Sequence, residues 1–199
     1  MALIKLNNRG VKDATVFGSI SSLGSLTFIS KQTASSSATI SFTSGIDSTY
    51  KEYIFYFVNI HPSAQSDFTF QASTNGGSSY GTTITTTYFK AYHNEAGNST
   101  ALAYDSERDE AQTTNFAKLN YAITNDNDSS TSGFLRLFNP SDTTFVKHFI
   151  ADNQGEVNTN SLRSFVAGYF NDTNDIDAIQ FKMSSGNIDS GDILLFGLN

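Results

Sequence analysis

The 199-residue chain contains no cysteine and no tryptophan. Without cysteine it can form neither a disulfide nor a thiolate metal site, so its stability rests on packing, hydrogen bonding or assembly. Basic residues are also scarce: twelve Lys and Arg stand against nineteen Asp and Glu, a formal charge of −7. They are scattered singly, which argues against nucleic acid as the main partner, because phosphate binding needs a concentrated positive surface. No apolar run approaches the length of a membrane helix, and Met1–Gly10 has no apolar signal-peptide core, so neither membrane insertion nor a secretory leader is expected. There is no Gly-x-Ser-x-Gly elbow, no phosphate-binding loop and no internal repeat.

What the chain does have is aromatic residues, with 17 Phe and 9 Tyr in a composition only 38% hydrophobic. A core of few but large side chains suits two packed sheets, since each buried Phe removes a large apolar area from water. The densest run, Tyr53–Ile60, is too short for a membrane span and too rich in β-formers for a surface helix. It predicts a central strand covered on both faces. With this one included, ten strands are expected, at 26–31, 38–43, 51–60, 67–73, 82–92, 133–138, 144–151, 165–170, 178–183 and 193–198. Asn75-Gly76-Gly77 predicts a hairpin between the fourth and fifth of these. Asn139-Pro140-Ser141-Asp142 predicts a type I turn. Between 94 and 132 the pattern gives way to a long polar connection, with a short helix expected near 106–112 and a weaker apolar stretch at 116–123. Connections of this length are often functional or an interface.

The expected fold is all-β, a jelly-roll-like two-sheet antiparallel sandwich over residues 23–199. Residues 1–22 form either a docking arm or a first edge strand. Leu3, Ile4, Leu6 and Arg9 give this start its apolar, basic character, and the Ser/Gly-rich Gly18–Ser25 that follows resembles a hinge.

Residues that could carry chemistry are few. His61 and His93 fall at strand ends. In the 144–151 strand, alternation puts Phe145, Lys147 and Phe149 on one face and Val146, His148 and Ile150 on the other. The histidines lack the His/Glu spacing of a cupin metal site. Asp105/Glu107 and Asp109/Glu110 are acid pairs of the kind glycoside hydrolysis requires, but they lie in a polar connection where solvated charge explains them. Two Asn/Asp clusters, containing Asp126 and Asp128 and then Asp172 and Asp175, offer oxygen ligands for calcium but lack EF-hand spacing, and Asn/Asp turns between strands account for both without a metal. Tyr88, Tyr92 and Tyr104 are the candidate contacts for a glycan or a protein partner, with Tyr121 also in the long connection.

Several segments resemble a family of virion structural proteins from tailed phages of marine bacteria, including cyanophages. They are Ile40–Tyr50 running into Asn59-Ile-His-Pro62, then Gly133–Pro140, Phe145–Phe149, Ala167–Phe170 and Ile179–Asn187. The opening Ala2–Asn8 is similar to a lead-in found on otherwise unrelated marine phage proteins. The resemblance spans most of the chain except 95–130. It implies a part of the virion, made in the host bacterial cytoplasm: a non-enzymatic tail-fibre, tail-surface or capsid-decoration protein without a cofactor. Its implied partners are other phage structural proteins and further copies of itself, a trimer being one form. A carbohydrate-binding adhesin for a host surface glycan is the alternative.

Overall fold

A computed structural model describes residues 26–199. The expected arm or edge strand, with Leu3, Ile4, Leu6 and Arg9, lies outside the described residues. In chain order the strands are β1 (Thr27–Thr33), β2 (Ile40–Phe42), β3 (Glu52–Pro62), β4 (Phe68–Ser73), β5 (Ile84–Asn94) and β6 (Thr100–Tyr104). They continue with β7 (Ala117–Lys118), β8 (Thr131–Phe138), β9 (Lys147–Val157), β10 (Asn160–Phe170), β11 (Ala178–Met183) and β12 (Ile188–Leu198). All ten expected strands are present, and the described residues contain no helix.

The strands form an eight-stranded sheet, β1-β12-β3-β8-β9-β10-β5-β6, packed on a four-stranded sheet, β2-β11-β4-β7. Every pairing is antiparallel. Removing two hairpins, β5–β6 and β9–β10, leaves eight strands ordered first-eighth-third-sixth in one sheet and second-seventh-fourth-fifth in the other. That interleaving is a jelly roll, two Greek keys wound together. The inserted hairpins extend only the larger sheet, beyond β8.

The interior is aromatic. Alternation turns Tyr53, Phe55 and Phe57 of β3 inward, all 2% exposed or less. Phe181 on β11 is the hub: its ring centroid lies 5.3 Å from those of Phe55 and Phe57, 5.7 Å from Phe68 and 6.2 Å from Phe42. Such edge-to-face and offset pairs add to the area term.

Five expectations are corrected. The Asn75-Gly76-Gly77 segment is not a hairpin, because β4 belongs to the small sheet and β5 to the large one. It is a corner between sheets, held by the Ser73 hydroxyl, which accepts the amides of Asn75 and Gly77, and by Asp177, which accepts Gly76 N–H. The 106–112 helix is absent. Its residues form turns, and the chain runs along the free edge of β5, with Thr86 and Ile84 amides donating to the Glu110 and Thr113 carbonyls at 2.8 Å. The 94–132 connection contains two strands, β6 and β7, and buries Ala117, Leu119 and Ile123 in the core. Phe145 lies before β9 and is 69% exposed, whereas Lys147 and Phe149 point inward. Lys147 Nζ donates to the Asp172 and Thr173 carbonyls, and burial lowers its pKa.

The fifth correction concerns β3. Its inner face is covered, but its outer face carries Tyr56, half-buried, and Val58, 44% exposed. Among the described residues no second layer packs on this outer face, where Ile54 is buried among its neighbours' side chains.

Candidate functional site

The outer face of the large sheet is unlike that of an ordinary half-solvated antiparallel sheet, whose exposed side is polar. Register places Leu194, Tyr56 and Phe134 side by side across β12, β3 and β8. The same row continues through Asp152, then Phe165, Phe89 and Tyr104, to the far edge at β6. A second row runs Phe28, Phe196, Ile54, Arg136, Ile150. The rings touch along both rows: Phe28–Phe196 at 5.5 Å, Phe196–Tyr56 at 5.6 Å, Tyr56–Phe134 at 6.3 Å and Phe165–Phe89, stacked, at 4.8 Å. Phe28, Phe89, Leu102, Tyr104 and Ile150 on this face are each at least 40% exposed.

Charges on the face are matched in place. Arg136 pairs with Glu52, Arg163 with Asp152 and Lys31 with Asp192. The face is therefore close to neutral although the chain carries −7. Two shallow depressions, about 330 and 380 Å³, lie among its side chains.

The second feature lies on the opposite side of the same sheet. The four-stranded layer cannot cover eight strands, so the inner face near β5 and β10 is closed by residues 105–123 instead. A directed polar chain pins that segment: Tyr88 hydroxyl donates to Ser164 Oγ at 2.6 Å, Ser164 to Asn120 Oδ1 at 3.0 Å, and Asn120 Nδ2 to Thr131 Oγ1. Burial raises the Tyr88 pKa. Beside it, Asp105 accepts Lys90 Nζ at 2.7 Å and pairs with Arg108 at 3.4 Å. Burial alone would raise the Asp105 pKa, but Lys90 and Arg108 outweigh it and hold the carboxyl below its ordinary value. The same two cations lie 4.0 and 3.8 Å from the Tyr121 ring centre.

Where this cover stops, a cleft of about 420 Å³ opens over Tyr92, Leu162 and Val157, with Tyr121, Asn158 and Asn160 on its walls. Asn158 and Thr159 both have positive φ, 47° and 65°, in the two-residue turn joining β9 to β10. Glu156 Oε1 accepts the Thr159 amide at 2.8 Å, and the Glu95 amide donates to the Thr159 carbonyl at 2.9 Å.

The candidate residues therefore fall in different places. Tyr88 is fully buried, which closes it to any ligand and corrects its assignment as a contact. Tyr104 lies on the outer face, donating to Asp109 at 2.5 Å. Tyr92 lines the cleft on the inner side, together with Tyr121. Asp126 and Asp128 flank a neighbouring hollow with Glu95 and Glu156, whereas Asp172 caps the Asn174 amide. Among the described residues no group of three His, Asp or Glu side chains is arranged to hold a metal ion. His148 is exposed beside Tyr169, and His61 Nδ1 meets the Ser129 carbonyl oxygen at 2.6 Å. Asp105 and Glu110, from the two acid pairs, are both engaged by cations, Glu110 by Lys118 at 3.4 Å. The outer aromatic face was the feature missed from sequence. Its signal was present in Tyr53–Ile60, where aromatics occupy both alternating sets.

No protein-family model, curated protein or solved structure matches the chain.

Proposed function

We propose that the chain is a non-enzymatic structural subunit of a tailed-phage particle, on a tail fibre, the tail surface or the capsid surface, and that copies assemble through the outer face of the large sheet. The observation carrying the assembly reading is the aromatic-rich outer face, broken by paired charges such as Arg136–Glu52 and Arg163–Asp152, which the described residues leave uncovered. Eight strands about 4.8 Å apart make a face roughly 38 Å wide, which the two aromatic-rich rows cross between them, wide enough to hold the roughly 800 Å² one partner contributes to a standard interface. Exposed large apolar side chains concentrated on one face and set among polar groups mark interaction surfaces. The internally paired charges support a second copy as the occupant, because a neutral patch is where two acidic chains meet with least repulsion. The resemblance of Ile40–Tyr50, Gly133–Pro140 and Ile179–Asn187 to phage virion proteins supports the particle as the setting.

Sedimentation of the full chain tests the assembly. The wild type is expected to associate, and Phe89→Lys combined with Phe134→Lys to sediment as a monomer with an unchanged β-sheet circular dichroism spectrum. A wild type that remains monomeric at high concentration refutes assembly. Immunogold labelling of purified particles tests the setting, and unlabelled particles would refute it.

A further inference from the structure

We propose that the cleft between β5, β10 and the 119–123 segment binds an uncharged oligosaccharide. The proposal goes beyond the assembly reading and uses the other side of the sheet. Its volume, about 420 Å³, lies in the range of small-ligand sites. Sugars have apolar C–H faces bordered by hydroxyls that both donate and accept, and the cleft offers both characters at once. Tyr92, Leu162 and Val157 supply an aromatic and aliphatic floor. Asn158 supplies an amide whose side chain makes no hydrogen bond among the described residues. Asn160 donates through Nδ2 to the carbonyls of Val157 and Asn158, so its Oδ1 remains an acceptor.

The floor and walls are held rigidly. Tyr121 is held by Lys90 and Arg108, both over its ring, and Asn120 anchors the segment beneath it through Ser164 and Thr131. Thr159 keeps a left-handed conformation that a β-branched residue disfavours, and the contacts to Glu156 and Glu95 maintain it. Strained backbone of this kind concentrates at ligand clamps, and here it sets Asn158 at the rim. Charge selects the class of sugar. Lys90, the one cation lining the cleft, is neutralised by Asp105, and the hollow sharing Asn158 is flanked by Glu95, Asp126, Asp128 and Glu156, which repel sulfated, sialylated or uronic-acid glycans.

The full chain is screened on immobilised neutral and acidic oligosaccharides, and a retained sugar is then titrated by calorimetry. Neutral sugars are expected to be retained. Tyr92→Ala is expected to weaken binding roughly tenfold through loss of the stacking ring. Asn158→Gly keeps the left-handed turn but removes the amide, and is expected to weaken binding severalfold. It decides the matter if Tyr92→Ala proves misfolded by circular dichroism. Tyr104→Ala, on the outer face, should leave affinity unchanged. No retention of any neutral sugar, retention of acidic sugars alone, or wild-type affinity in Asn158→Gly and in a folded Tyr92→Ala would each overturn the proposal. Binding that persists in the Phe89→Lys/Phe134→Lys monomer supports the cleft and leaves the assembly question to sedimentation.

Discussion

Phe181→Ala is the most demanding test of the packing. The ring is fully buried and lies within 6.5 Å, centre to centre, of five others: Phe42, Phe55, Phe57, Phe68 and Phe70. Three of those five come from the small sheet and two from the large one, so the ring ties the layers together. Truncation loses about 2 kcal/mol of transfer free energy. It also leaves a void of about 100 Å³, which at ~24 cal/mol per Å³ adds roughly 2 kcal/mol. The surrounding rings are held by two hydrogen-bonded sheets and cannot collapse fully into the space. The expected loss is therefore about 4 kcal/mol, a fall of roughly 8–16 °C in melting temperature for a domain of this size.

Urea unfolding followed by tyrosine fluorescence and circular dichroism measures it, since no tryptophan is present to dominate the signal. It is done in the outer-face monomer variant, so that association adds nothing to the apparent stability. Phe145→Ala is the control: that ring is 69% exposed and should change stability by less than about 0.5 kcal/mol. A loss below about 1.5 kcal/mol for Phe181→Ala would refute the claim that this cluster joins the two layers.

Asp105→Asn should cost about 1.5–3 kcal/mol near neutrality, because Lys90 and Arg108 lose their charged acceptor. The Asp105 pKa is depressed in the folded state, so its contribution is complete above about pH 4, the ordinary value, and is lost as pH falls through the folded value. The acid limb of a stability–pH curve should flatten in the variant but persist in part. Asp47, lowered by the Thr49 hydrogen bonds, and Asp142, lowered by the Phe145 and Thr144 amides, still titrate. An unchanged acid limb would refute the assignment. Gly168→Ala should destabilise by about 1–3 kcal/mol through overpacking, since a Cβ would meet the Thr85 carbonyl and stand 2.7 Å from the Phe149 ring. Gly76→Ala, at φ +71° in open space, should cost only the conformational term of about 1–2 kcal/mol. Equal effects of added volume at the two positions, after correcting for that term in thermal melts, would contradict the close approach of β5 and β10.

Local signals carried much of this protein. Alternating aromatic and β-branched residues with Asn, Asp and Gly between them located ten of the twelve strands and the Asn139–Asp142 turn, whose Asp142 amide donates to the Asn139 carbonyl. Those patterns depend on neighbours two and three residues apart, which a sequence displays directly. β6 and β7 were hidden for a physical reason. Thr100–Tyr104 is an edge strand with little burial, and the two residues of β7 pair with β4, about fifty positions earlier. Asn75-Gly76-Gly77 has the chemistry of a tight turn, but whether its flanking strands pair depends on which sheet each joins.

The sequence by itself determined the all-β class, the aromatic interior and the absence of thiol chemistry, because alternation and composition act within a few residues. Only the tertiary structure decided which face of each strand is covered. It put Tyr88 under a polar chain, Tyr92 over a cleft and Tyr104 in the open, and among the described residues it left the outer side of β3 without a covering layer. Burial is a relation between distant segments, set by the mismatch of a four-stranded layer against an eight-stranded one.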